Sequence, residues 1–146
     1  MSESSGLIQP VPVQYPVNEA RGVMLMTSNL TEEQNRVYET FCRTKGKLKR
    51  ICTTDNNGEL VTIMFPSDDE NEGTQHVLLK HYKTNRGTVT ALEILNLMDV
   101  VRSGCKESDE NHIIYSMEKF RGKIKFTIAV KVVKKGNIFK SFYSNR

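Results

Sequence analysis

The chain has 146 residues, the size of one domain, and its 38% hydrophobic and 26% charged residues are the proportions of a globular protein that buries its own core. No apolar run approaches the about 18 residues needed to span a bilayer, and the start lacks the basic then apolar pattern of a secretion signal. Three cysteines (Cys42, Cys52, Cys105), odd in number and without a CxxC, argue for free thiols in a reducing, cytoplasmic setting and against a structural zinc site, so no metal and no cofactor are expected.

The formal net charge is +4, but it is unevenly distributed. Residues 119–146 carry nine Lys or Arg and no Asp or Glu, whereas DDENE (68–72) and ESDE (107–110) are acidic. A cationic end of this kind favours a polyanion such as RNA; it also suits an acidic protein partner or a solubilising face.

In chain order, residues 1–28 hold Pro10, Pro12 and Pro16 among Ser, Gly and Gln, which predicts a flexible arm or linker ahead of a domain over 29–146. Thr31 with Gln34 forms a capping-box pattern, and Val37, Tyr38, Phe41 and Cys42 recur at helical spacing, predicting a helix over 31–43. The segment KLKRICTTDNNGELVTIMF then reads as two strands about an Asn56-Asn57-Gly58 turn.

Residues 74–83, TQHVLLKHYK, contain two of the three histidines. On a helix, Val77, Leu78, Leu79 and Tyr82 form an apolar arc, His76, Lys80 and Lys83 lie on the polar side, and His81 projects among the apolar residues. The two histidines are therefore expected to face differently. Five residues apart and with no HExxH glutamate, they are a poor metal pair. His81 is either a core histidine satisfied by backbone groups or a proton carrier; His76 is either solvated or a base. Lys80, Lys83 and Arg86 supply the cations that a phosphodiester would need, or merely a solvated helix end.

The next segment, TALEILNLMDVVRSG, predicts one buried helix with a Thr90–Glu93 capping box and Gly104 as a left-handed cap. The last third predicts a three-stranded antiparallel meander beginning with IIYSMEKF. In its central strand Ile124, Phe126, Ile128, Val130 and Val132 face the core, and Lys123, Lys125, Thr127 and Lys131 form a basic face for a nucleic-acid backbone. A two-residue turn at Lys135 and Gly136 would pair Val130 with Ser141 and Ile128 with Tyr143, placing Ser141 and Tyr143 on the apolar face. The whole is an α+β fold.

The order QHVLLKH, then TALEILNLMDVV, then two long strands closing in KSFYS, resembles the barnase, EndoU, colicin D and RelE superfamily of metal-independent ribonucleases. Within it, the toxin domains of phage head proteins and bacterial polymorphic toxins are most similar, over about residues 47–146. The resemblance implies RNA cleavage by attack of the ribose 2′-hydroxyl, with His81 as the catalytic histidine, His76 as its companion, and Ser141 and Tyr143 as the C-terminal hydroxyl pair. It also implies an acidic inhibitor protein of the immunity or antitoxin kind. Tyr82 and Lys83 depart from the pattern, standing where a small residue often follows the second histidine. The alternatives on composition alone are a noncatalytic nucleic-acid-binding module and a phage or host protein-interaction domain.

Overall fold

The computed structural model describes residues 14–26, 29–43, 49–66 and 72–146; Pro10, Pro12, residues 44–48 of the basic run and most of DDENE lie outside them. The fold is α+β. Helices α1 (Gln14–Met26), α2 (Glu32–Tyr38), α3 (Thr74–Lys80), α4 (Ala91–Leu95) and α5 (Met98–Ser103) accompany a six-stranded sheet. Its strands are β1 (Lys49–Thr54), β2 (Leu60–Phe65), β3 (Cys105–Ser108), β4 (His112–Lys119), β5 (Ile124–Val133) and β6 (Gly136–Ser144). The spatial order is β1-β2-β6-β5-β4-β3, antiparallel throughout except for a short parallel contact at Ile63–Asn137 and Met64–Ile138.

Where the chemistry is local, sequence and structure agree. Both capping boxes form: Thr31 with Gln34 on α2 and Thr90 with Glu93 on α4, each satisfying two backbone N–H groups that the first helical turn leaves open. The Asn56-Asn57-Gly58 turn joins β1 to β2, with Gly58 at φ +82 and the Asp55 carboxylate accepting from the backbone of Asn57 and Glu59.

Residues 14–26, expected in an extended arm, are helix α1, with Ala20 and Met24 fully buried in the core. Pro16 falls in the first turn, where the missing N–H costs no intrahelical bond, and Ala20 and Met24 at i, i+4 supply the apolar stripe. The helix expected over 90–104 is broken at Asn96 into α4 and α5. Gly104 is no left-handed cap: it is extended (φ −85), and a side chain there would meet the carbonyl oxygens of Val100 and Ser116. Glycine is required by close approach to β4. Arg102 ties the elements together, donating to Glu33 on α2, Asp99 on α5 and Thr53 on β1.

All the helices that contribute buried side chains share one core with the inner face of the sheet. Ile63, Tyr115, Phe126, Ile128, Val130, Phe139 and Phe142 line that face, each no more than 3% exposed. The other, more open face is covered only in part, by α3 and the loop around Gly87.

Candidate active site

Strand β6 decides which residues reach the open face. The β5–β6 turn is Lys134–Lys135, so Val133 pairs with Gly136 and Val130 with Phe139. A bulge then inserts Lys140 as an extra residue, and from there Ala129 pairs with Ser141, Ile128 with Phe142 and Thr127 with Tyr143. The expected Val130–Ser141 and Ile128–Tyr143 pairs do not form. Because side chains alternate, this one-residue difference moves Ser141 and Tyr143 from the apolar face to the open face beside Ala129 and Thr127. Phe139 and Phe142, three apart, both reach the core only because of the bulge.

The bulge also seats α3. Gly73, at φ +87, donates its N–H to the Lys140 carbonyl at 2.7 Å, and a side chain on it would lie 2.4 Å from the Pro66 carbonyl oxygen. Helix α3 therefore starts against β6, buries Val77 and Leu78, and directs His76 toward the open face. It ends at Lys80. His81 leaves helical geometry (φ −126, ψ −26) while its N–H still reaches the Val77 carbonyl. The two histidines, expected to face differently, thus meet: their rings stand edge to face with centroids 5.1 Å apart. The Tyr143 ring lies 5.6 Å from that of His81. His76, His81, Ser141, Tyr143, Lys140 and Ala129 line one depression of about 350 Å³.

Behind His81 the chain doubles back. Val89 N–H donates to the His81 carbonyl and Lys83 N–H to the Val89 carbonyl. Gly87 is then strapped to the end of β6, donating to Arg146 O at 2.8 Å and accepting from Ser144 N–H at 3.3 Å. The Ser144 hydroxyl and the Arg146 guanidinium both donate to the Thr88 carbonyl. Gly87 has φ +68, and a Cβ on it would stand 2.8 Å from His81 Nδ1. The glycine is a flat wall against which the imidazole rests.

Nδ1 of both histidines and the Ser141 hydroxyl are buried without hydrogen-bond partners. Burial lowers the pKa of His81 below its ordinary 6.5; a charge on His76 acts in the same direction, and the backbone of Arg86 and Gly87 faces the ring and opposes the shift without completing a bond to Nδ1. The shift favours the neutral, proton-accepting form of the His81 imidazole near neutral pH.

The expected cations are dispersed. Lys80 and Arg86 are exposed near the depression's helix and loop. Lys83 is committed to Glu19 of α1 at 2.7 Å. Lys123 belongs to the β4–β5 turn, not to the strand, so the basic ladder reduces to Lys125 and Lys131 on the open face with Thr127 and Ala129 between them. Lys125 stands across from Glu118 and Lys131 is 3.8 Å from Glu72. Sequence reasoning missed Lys140 and Gly87. The odd spacing of Phe139 and Phe142 signalled the first; nothing local signalled the second.

Among the described residues, no three His, Cys, Asp or Glu side chains gather as a metal site, and no helix is long and apolar enough to cross a membrane. No protein-family model, curated protein or solved structure matches the chain.

Proposed function

We propose that the chain is a metal-independent endoribonuclease that cleaves RNA by general acid and base catalysis. His81 Nε2 takes the proton of a ribose 2′-hydroxyl, whose oxygen forms a new bond to the adjacent phosphorus. The bond from phosphorus to the 5′-oxygen breaks, and His76 returns a proton to that oxygen. The products are a 2′,3′-cyclic phosphate and a 5′-hydroxyl. Lys140 and the Ser141 hydroxyl face the phosphoryl oxygens on which charge develops, and Tyr143 closes the third side of the site. Lys125 and Lys131 hold the strand on either side without reading its sequence. The toxin setting implied by the family resemblance, with RNA of a target cell's cytoplasm as substrate and an acidic inhibitor over the open face, belongs to this proposal.

One observation carries the reading: two imidazoles in contact, each with a buried unpartnered Nδ1, share a depression with an unpartnered serine hydroxyl and a lysine. A structural histidine pair would satisfy its buried nitrogens.

The test is incubation of the pure protein with total RNA in EDTA, with analysis of the new ends. Cleavage to cyclic phosphate ends that survives EDTA and is lost in His81→Gln is the expected result. Undiminished cleavage by His81→Gln overturns the assignment. Binding without cleavage by the wild type leaves a noncatalytic RNA-binding module, and neither binding nor cleavage leaves a protein-interaction domain.

A further inference from the structure

On the helix-covered side of the sheet, a second depression of about 230 Å³ opens between α4, α5 and the β4–β5 hairpin. Val100, Phe126 and Phe142, each nearly fully buried, form its floor, with the last two rings stacked 6.0 Å apart. Leu92, 53% exposed, and Phe120, 63% exposed, stand at its rim. Lys119 also lines it, its ammonium 6.0 Å from the Phe126 ring.

Phe120 is there at a cost. Three consecutive residues of the hairpin turn, Phe120 (φ 57), Arg121 (φ 59) and Gly122 (φ 81), are left-handed, and only the glycine adopts that region freely. Asn or Gly at 120 would serve the turn better. The sequence instead holds an exposed aromatic ring in a strained conformation beside an apolar depression, the association of strain and exposed apolar surface that marks interaction sites.

We propose that this depression is the docking site for an acidic protein segment bearing one apolar anchor side chain. The volume lies below the about 300 Å³ at which small-molecule pockets begin and suits a single Phe or Leu side chain. The floor is apolar and the polar side chains of the wall are already partnered, Thr90 with the Glu93 backbone, Asn96 with Gln34 and the Leu92 carbonyl, and Glu93 with Arg146, which favours an apolar side chain over a nucleobase. The anion preference comes from the hairpin, where Lys119 lines the depression and Arg121 and Lys123 stand in the adjoining turn, while Glu118 and Lys125 pair on the other face; Glu93 at the rim is already neutralised by Arg146. Because the depression opens on the face opposite His76 and His81, a partner seated in it leaves the histidine site uncovered. The inference is independent of the ribonuclease reading.

The probes are fluorescent synthetic acidic peptides, identical except for a central Phe, Leu or Ala, measured by anisotropy. Phe and Leu peptides should bind about tenfold or more tightly than the Ala peptide, the effect of a well-seated anchor. Phe120→Asp, and separately the triple change of Lys119, Arg121 and Lys123 to Glu, should each weaken the Phe peptide about tenfold. His81→Gln should leave it unchanged. Phe120 is exposed, so its replacement leaves the fold intact, verified by unchanged cooperative unfolding. No binding by any acidic peptide, equal binding of Phe and Ala peptides, an unaltered affinity in Phe120→Asp, or displacement of the peptide by single-stranded oligouridylate would each overturn the proposal.

Discussion

The two faces of the same sheet, carried by the same strands, differ in what holds their residues in place. On the inner face Tyr115, Phe126, Ile128, Val130, Phe139 and Phe142 are sealed under helices and against one another, with Phe65 stacked on Phe139 at 4.6 Å. On the open face Thr127, Ala129, Ser141 and Tyr143 are covered only by α3 and the Gly87 loop, and there the buried polar atoms of His76, His81 and Ser141 go unpartnered. Packing over-determines one face and leaves polar groups of the other uncommitted. The bulge at Lys140 assigns residues to each.

The sharpest way to break this contrast is to substitute across it. His81→Gln should lower turnover of RNA about 10²- to 10⁴-fold, the range of a lost general base, while leaving unfolding by urea nearly unchanged. Phe139→Ala should do the reverse. Loss of a fully buried ring that contacts Phe41 and Phe65 should cost about 3–5 kcal/mol of stability, read from the urea midpoint. If Phe139→Ala retains stability, or if His81→Gln destabilises as much as it inactivates, the division of labour between the faces is wrong.

The same contrast explains what was legible in the sequence. Capping boxes at Thr31 and Thr90, the Asn-Gly turn and the alternation of β5 are local signals, and each element follows from side chains within a few residues. The candidate site joins segments some sixty residues apart through a one-residue register choice. His76, His81, Ser141 and Tyr143 do share one depression, although the strand pairing proposed for the last two had placed them in the core. Helix α1 leaves a weak trace in the sequence, because the prolines around Pro16 outweigh the i, i+4 spacing of Ala20 and Met24. The parallel β2–β6 contact leaves no local trace at all, since only the assembled sheet brings Met64 to Ile138.

Gly87 sharpens the comparison, because it supports the open face from behind. Gly87→Ala places a side chain at φ +68, which costs about 1–2 kcal/mol, and presses a Cβ onto His81 Nδ1. The imidazole must shift. The expected outcome is a modest loss of stability with a fall in turnover of about tenfold or more, a change in the His81 titration followed by NMR, and little change in KM, because Lys125, Lys131 and Lys140 are untouched. A mutant with lowered stability but an unaltered His81 titration would show that Gly87 serves the loop alone.

The smallest effect expected is on the pH dependence of stability, and its sign follows from burial. His81 has a lower pKa in the folded chain than its ordinary 6.5, so between the two values the unfolded chain binds more protons and acid favours unfolding. The contribution is fully present above about 6.5 and is lost as pH falls through the depressed folded value. Asp55 and Asp109, whose carboxylates are held low chiefly by backbone N–H groups, lose theirs only in the separate window below 3.8. Urea unfolding at pH 7.5 and pH 5 should therefore show wild type losing more stability on acidification than His81→Gln, by a small margin because the half-exposed ring is screened by water. Equal losses would mean that the ring is solvated in the folded state, and the neutral imidazole required of a base would then have to come from its intrinsic titration alone.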